Sequence, residues 1–228
     1  MRVTAIIPVA GSGKRFGGDT PKQYLALKGE PIIAITVRKF LQLKEIYSII
    51  VVTAADEIAR MKDLLGKIPG FNLKAEIVTG GKERQDSVEN GLQKVDSQTD
   101  IILVHDGVRP LISHKIILNS LRESKKSGAC VVAVPVKDTI KRVENNKVLE
   151  TLPRELLYQI QTPQTFLSTI LTDAHKKAKQ QNFYATDEAA LVEWAGYPVS
   201  IVAGDYRNIK ITTVEDLKIA EIFMRGQK

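Results

Sequence analysis

Apolar runs of strand length alternate with segments of helical period along almost the whole chain. That alternation constrains the fold more than any other feature, because a parallel sheet with crossover helices requires it. The strand candidates are Val3 to Pro8, Ser48 to Thr53, Lys74 to Val78, Ile101 to His105, Ala129 to Val134 and Val199 to Ala203. Several are continuously apolar, as strands covered on both faces are. The helices carry their own punctuation. Pro31 opens one whose Ile33, Val37, Phe40 and Leu41 fall on one face, and Asp56 caps another that stops at Gly66. Ser113 to Ser127 ends at Gly128, Pro163 begins a helix, and Thr186 to Ala195 ends at Gly196. Thr213 with Asp216 forms a capping box for the last helix, which Gly226 terminates. The pattern predicts an α/β fold. At 228 residues it is read as one domain spanning 1–228 with ample material for a core.

One segment breaks the alternation. Between Val136 and Leu152 the apolar residues Ile140, Val143 and Val148 are sparse among charges, and Asn145-Asn146 suits a hairpin turn. This predicts a protruding β-arm over about 136–152. An isolated two-stranded ribbon is marginal in water, so the arm either packs on a second subunit or stands as a solvated hairpin.

Composition excludes several classes. Hydrophobic residues at 43% and charged residues at 26% exclude disordered, fibrous and coiled-coil proteins. The longest apolar run, Ala129 to Val136, is eight residues against the roughly 20 that span a bilayer. No membrane partner is expected, and the N-terminus reads as neither a secretory signal nor a transit peptide, so a cytoplasmic location is expected. The formal charge of +7 favours anionic partners such as phosphates or nucleic acid. The basic residues are dispersed and form no RNA-module signature, which argues against a nucleic-acid-binding module. Cys130, alone in an apolar strand, reads as packing, and the three scattered histidines offer no zinc spacing, so any metal is held by oxygen.

The chemistry concentrates where strands end. Pro8-Val9-Ala10-Gly11-Ser12-Gly13-Lys14-Arg15-Phe16-Gly17 is a glycine loop directly after the first strand, suited to present backbone N–H groups to phosphate. It is neither a Walker loop, since Arg15 follows Lys14, nor a dinucleotide fingerprint, since Phe16 occupies the third glycine position. Lys14 and Arg15, with Lys22 of Thr20-Pro21-Lys22-Gln23-Tyr24, supply cations for a polyphosphate. The alternative is a glycine turn with solvated basic neighbours. His105-Asp106-Gly107-Val108-Arg109-Pro110 lies at the carboxyl end of the fourth strand, where ligands bind in open α/β sheets. Asp106 there holds either Mg²⁺ or a substrate hydroxyl, or else only caps a turn. In Gly80-Gly81-Lys82-Glu83-Arg84-Gln85-Asp86-Ser87, the glycines and Ser87 can approach a base or ribose, or Ser87 is merely a helix-start residue. Thr186-Asp187-Glu188-Ala189 is explained as a helix start with acids in its first turn, and Lys210 as a surface lysine.

Taken together and in order, PVAGSGKRF, PKQY, GGKERQDSV, VHDGVRP, PVKDTIKR, LYQIQTPQTF, TDEAAL and NIKITTVEDLKIAE resemble the IspD family, the 2-C-methyl-D-erythritol 4-phosphate cytidylyltransferases, over residues 3 to 222. The resemblance implies a Rossmann-like, mostly parallel sheet with helices on both faces and a β-arm that interlocks in a homodimer. It also implies CTP and a sugar-alcohol phosphate as substrates, Mg²⁺ or another divalent cation as cofactor, and pyrophosphate as product. Carried onto this chain, it assigns Lys22 and Arg15 to the triphosphate, with Lys14 beside them, and Lys210 to the α-phosphate. Val9, Ala10, Gly11, Ser12 and Gly13, with Gly81 and Ser87, hold cytosine and ribose. Asp106 serves the metal or the substrate, Arg109 and Thr186 the methylerythritol moiety, and Thr139 and Arg154 of the partner's arm region the substrate phosphate. Val9, Phe16 and Val108 depart from the family's usual Pro-Ala-Ala-Gly, Met and Asp-Ala-Ala-Arg or Asp-Gly-Ala-Arg patterns. The rival within the same fold, a ribitol-5-phosphate cytidylyltransferase, fits Thr186-Asp187-Glu188-Ala189-Ala190-Leu191 less well.

Overall fold

In a computed structural model of the chain, the structure describes residues 1–10 and 20–225. The elements follow in the order β1 (Val3–Pro8), β2 (Ala26–Leu27), β3 (Glu30–Pro31), α1 (Ile32–Leu41), β4 (Ser48–Thr53), α2 (Ile58–Gly66), α3 (Phe71–Lys74) and β5 (Ala75–Thr79). They continue with α4 (Arg84–Leu92), β6 (Ile101–Val104), α5 (His114–Ser127), β7 (Ala129–Pro135), β8 (Lys141–Glu144), β9 (Lys147–Thr151) and β10 (Tyr158–Leu167). The chain closes with α6 (Ser168–Gln181), α7 (Glu188–Trp194), β11 (Ser200–Ala203) and α8 (Val214–Arg225).

Seven strands form one sheet in the order β11-β7-β10-β6-β1-β4-β5. All neighbours pair in parallel except β10, which runs antiparallel to both β6 and β7. Helices cover both faces, and the strand side chains alternate between them. Val3, Ala5 and Ile7 of β1 pack with Val37 and Phe40 of α1, Met61 of α2 and Leu121 of α5. Ile6 faces the opposite way, with Val88 of α4, Leu171 of α6 and Leu191 of α7. A third, smaller cluster joins Leu27, Ile32 and Val108 to Ile211 and Ala220 of the C-terminal segment.

The segment after Thr162 departs from the sequence expectation. Pro163 does not begin a helix. It lies in β10 after a cis Thr162-Pro163 peptide, where the β10–β7 register shifts between Ile160 and Gln164. A proline cannot donate to the ladder and fits such an irregularity. The strand resumes at Gln164, buries Phe166, and α6 starts only at Ser168. Two helix starts shift by a residue or two: Asp56 lies in a single 3₁₀ turn ahead of α2, and Asp187 rather than Thr186 caps α7 by accepting from the Ala190 N–H at 2.9 Å. The reciprocal Thr213–Asp216 cap forms as expected, at 2.9 and 3.3 Å, while Gly226 lies outside the described residues.

β8 and β9 form the separate two-stranded arm, turned by Asn145 and Asn146, both at positive φ (49° and 60°). That pair of left-handed residues is the turn that the right-handed twist of a hairpin prefers. Every residue of both strands is exposed, including Val143, Val148 and Leu149.

Candidate active site at the strand tips

The carboxyl ends of β1, β5 and β6 open into a cleft of about 230 Å³ lined by Val9, Ala10, Lys22, Gly81, Arg84, Ser87, Asp106 and Lys210, among others. Beyond Val52, the Val9 N–H donates to the Val52 carbonyl at 2.7 Å, so β1 carries its rigidity into the start of the glycine loop. Gly11, Ser12, Gly13, Lys14, Arg15 and Phe16 lie outside the described residues. Lys22 sits in a 3₁₀ turn whose Tyr24 is stacked under the Arg60 guanidinium at 3.8 Å. At the tip of β5, Gly81 has no room for a side chain, since a Cβ would collide with Asp86. The Gly81 N–H donates to Ser87 Oγ at 3.1 Å, and that hydroxyl donates to the Glu83 carbonyl at 3.1 Å. Ser87 therefore both pins the loop and lines the cleft.

Val9 and Gly107 explain each other. A Cβ on Gly107 would overlap Val9 Cγ1 and meet Ile33 Cδ1 at 2.8 Å. The larger residue on β1 fills the space that the smaller one after β6 leaves, so the added branch at Val9 is absorbed locally.

Asp106 is the centre of the site. Its carboxylate meets three cations: Lys210 Nζ at 3.0 Å, Arg109 Nε at 3.4 Å and Arg84 Nη2 at 3.5 Å. Burial alone would favour the neutral acid, but Arg84, Lys210 and Arg109 outweigh it and hold the group well below the usual carboxylate range. The surrounding scaffold fixes each partner. The Thr162 hydroxyl accepts from the Asp106 N–H at 3.1 Å and donates to His105 Nδ1 at 3.0 Å, and His105 Nε2–H then donates to the Arg109 carbonyl at 3.2 Å. Burial pushes His105 down to about 4, so the ring is neutral and fully bonded. Arg109 donates to the Asn208 carbonyl at 2.7 Å, and Asn208 donates to the Thr162 carbonyl at 2.9 Å. These bonds hold the 205–212 loop, and hence Lys210, over Asp106.

A second cavity of about 150 Å³ adjoins the first and is lined by Arg109, Thr162, Gln164, Thr186 and Asp187. Arg84, Asp106 and Lys210 line both. The structure thus brings Val9, Ala10, Lys22, Gly81, Ser87, Asp106, Arg109, Thr186 and Lys210 to one place. It does not bring Thr139 or Arg154 there. Thr139 is exposed ahead of β8, and Arg154 is exposed and donates to the Lys137 carbonyl at 3.0 Å. Sequence reasoning passed over Arg84, which bridges Glu188 at 2.6 Å and Asp106, and Glu188 itself, which is only 1% exposed. Both sit in first turns of helices, where a charged residue is ordinary, and only their burial marks them.

An open α/β sheet that gathers lysines and arginines at its strand tips, around one carboxylate, is built to hold phosphate groups, and this places the chain among the nucleotidyltransferases. Comparison with known proteins narrows the class. Residues 3–226 match the model of the family described as IspD, 2-C-methyl-D-erythritol 4-phosphate cytidylyltransferase. Proteins of that description from Geotalea uraniireducens and Bacillus mycoides are each 46% identical, over 99% of this chain and 98% and 99% of theirs. Among solved structures, the 4-diphosphocytidyl-2C-methyl-D-erythritol synthase of Anaerococcus prevotii superposes with a TM-score of 0.86 at 34% identity, over 98% of both chains. The chain belongs to the IspD family.

Proposed function

We propose that the chain joins CTP to 2-C-methyl-D-erythritol 4-phosphate, giving 4-diphosphocytidyl-2-C-methyl-D-erythritol and pyrophosphate, in the supply of isoprenoid precursors. The observation that carries this reading is the pair of adjoining cavities that share Arg84, Asp106 and Lys210. One suits a nucleotide and the other a small polyol, and their phosphates meet at the shared cations. The chemistry follows from charge. A phosphate monoester is already an anion near neutral pH, so its oxygen attacks the α-phosphorus of CTP without a catalytic base. The new P–O bond forms as the bond to the β-phosphate oxygen breaks, and the electron pair leaves with pyrophosphate. The barrier is repulsion between anions plus charge building at phosphorus, which preorganised cations lower.

In this reading Lys22 and Arg15, with Lys14, bind the triphosphate, and Lys210 leaves Asp106 for the α-phosphate. The loop Val9, Ala10, Gly11, Ser12 and Gly13, with Gly81 and Ser87, holds cytosine and ribose. Arg109 and Thr186 face the polyol. Among the described residues no group of three His, Cys, Asp or Glu side chains converges. Mg²⁺ brought in by a nucleotide needs only one or two carboxylates beside the phosphates, and Asp106 fits that demand. When bound, the ion would neutralise phosphate charge there.

Thr139 and Arg154 reach a substrate phosphate only from a second subunit. We therefore read the exposed arm at 136–152 as the element that forms a homodimer, within a chain that is otherwise one domain over 1–228. No described helix is long and apolar enough to cross a membrane. We read the reaction as cytoplasmic.

The test is pyrophosphate release with CTP and Mg²⁺, with methylerythritol phosphate and ribitol 5-phosphate offered separately. Release with the former alone is expected. Release with ribitol phosphate alone would keep the chemistry and change the substrate, and release with neither would overturn the reading.

A further inference from the structure

Arg84 occupies a position that the assigned cations do not. Of the three residues common to both cavities, Asp106 is an anion and Lys210 is a flexible point charge, whereas Arg84 is a planar fork that meets Glu188 through one nitrogen and Asp106 through another. Its Nη1 is 2.6 Å from Glu188 Oε2, and its Nη2 is 3.5 Å from Asp106 Oδ1. The first contact is tight and the second loose, so Glu188 holds the guanidinium back from Asp106.

Glu188 is itself immobile. It is 1% exposed, in the first turn of α7, and that turn is latched to β10 from two sides. Gln164 Nε2 donates to the Asp187 carboxylate at 2.8 Å, and Gln164 Oε1 accepts the Ala189 N–H at 3.0 Å. Gln85, next to Arg84 on α4, accepts the Ala185 N–H at 2.9 Å and donates to the Phe183 carbonyl at 2.9 Å, tying α4 to the same loop. Among the described residues Arg84 is the cation paired with Glu188, and a buried carboxylate is costly unless paired, so the pair is built to keep its geometry. Remove the Glu188 charge, and the fork is free to swing wholly onto Asp106. There it competes with Lys210 and leaves the boundary between the cavities.

We propose that Arg84 is a further cation facing the reacting phosphates, and that Glu188 is its positioning residue. This rests on the two-substrate reading above. It makes a prediction opposite in sign to a simple field effect. The groups Arg84, Arg109 and Lys210 against Asp106 and Glu188 sum to +1, and Glu188→Gln raises the sum to +2. A field effect alone would then tighten CTP binding and speed the reaction. Positioning predicts slower turnover with CTP binding held or tightened.

The test is a double-mutant cycle of Arg84→Lys and Glu188→Gln, run on the full chain with whichever polyol phosphate the wild type turns over. CTP·Mg²⁺ binding is measured by calorimetry and folding by thermal melts. Arg84→Lys, which keeps the charge and loses the fork, is expected to lower kcat by about 10- to 100-fold, below the roughly 10²–10³ of removing a preorganised donor outright. Glu188→Gln is expected to lower kcat about 10-fold, with CTP affinity equal to or tighter than wild type. In the Arg84→Lys background the Glu188 change adds less than about 2-fold, because it acts through the fork it no longer has. Wild-type kcat in Glu188→Gln, or a loss that multiplies fully with Arg84→Lys, overturns the proposal. So does a loss that comes with equally weakened CTP binding, which marks a merely structural role. Inactivity of the wild type toward every polyol phosphate instead rejects the underlying reaction, so the two failures are distinguishable.

Discussion

The strand-tip cleft and the β-arm are both rich in charge, and they use it in opposite ways. Around Asp106 the charged side chains are buried or half-buried, and each has a named partner from another element. On the arm the Arg142–Glu150 pair lies at 3.1 Å, but both side chains are about half exposed or more (64% and 48%). Exposed pairs of this kind contribute about 0–1 kcal/mol. Val143, Val148 and Leu149 are 54%, 60% and 50% exposed, uncovered by any of the described residues. A cluster drawn from the end of β6, from β10, from the first turns of α4 and α7 and from the 205–212 loop is fixed by its own chain. A two-stranded ribbon with so little apolar cover is marginal by itself.

The sharpest way to break the contrast is at the cleft. Lys22→Ala or Lys210→Ala is expected to lower turnover by at least about 10² while the thermal transition stays cooperative. Unchanged turnover in purified protein would refute the phosphate roles of these lysines.

Acid titrates the buried side of the contrast. His105 has a folded pKa of about 4 against an ordinary 6.5, so between those values the unfolded chain binds the extra proton. Stability from this group is full above the unfolded pKa and is lost as pH falls toward 4. Linkage gives a loss of about 2 kcal/mol between roughly pH 8 and pH 5, before the depressed carboxylates Asp106 and Glu89 begin to matter. Urea melts across that range measure it, and His105→Gln should flatten the slope. A slope unchanged by that substitution would assign the titration elsewhere.

Packing at the same tips gives a smaller effect. Gly107→Ala is expected to cost about 1–3 kcal/mol, because its Cβ overlaps Val9. Adding Val9→Ala should recover part of that loss, and chemical denaturation of the double variant decides whether it does. The smallest effect on folding belongs to the arm. Leu149→Asp should change the stability of the monomer by less than about 0.5 kcal/mol, yet on the proposed dimeric reading shift sedimentation from dimer to monomer at micromolar concentration. An unshifted sedimentation profile would remove the arm from the interface.

Legibility followed the range of the interaction. The apolar runs located β1, β4, β6 and β7 to within a residue or two, because strands buried on both faces announce themselves, and the partly exposed edge strands β5 and β11 were located as closely. β10 was missed in Gln159-Ile160-Gln161-Thr162-Pro163-Gln164, whose polar residues and proline read as a helix start. Its polar side chains are spent on neighbours far along the chain: Gln161 donates to the Asp205 carbonyl, Thr162 bonds His105, and Gln164 clamps Asp187. In the site, Lys22, Asp106 and Arg109 stood out from their motifs, whereas Lys210 read as a surface lysine and entered only through the family resemblance. Arg84 and Glu188 did not stand out, since their pairing spans 104 positions.

By itself, then, the sequence determined the α/β class, the run of parallel strands and the Asn145-Asn146 turn, because these rest on period and local backbone preference. The tertiary structure alone decided that β10 enters the sheet antiparallel, that Gly107 makes room for Val9, and that Lys210, Arg109 and Arg84 converge on one carboxylate. Those outcomes depend on which buried polar groups find partners across long stretches of chain, and no local pattern encodes that choice.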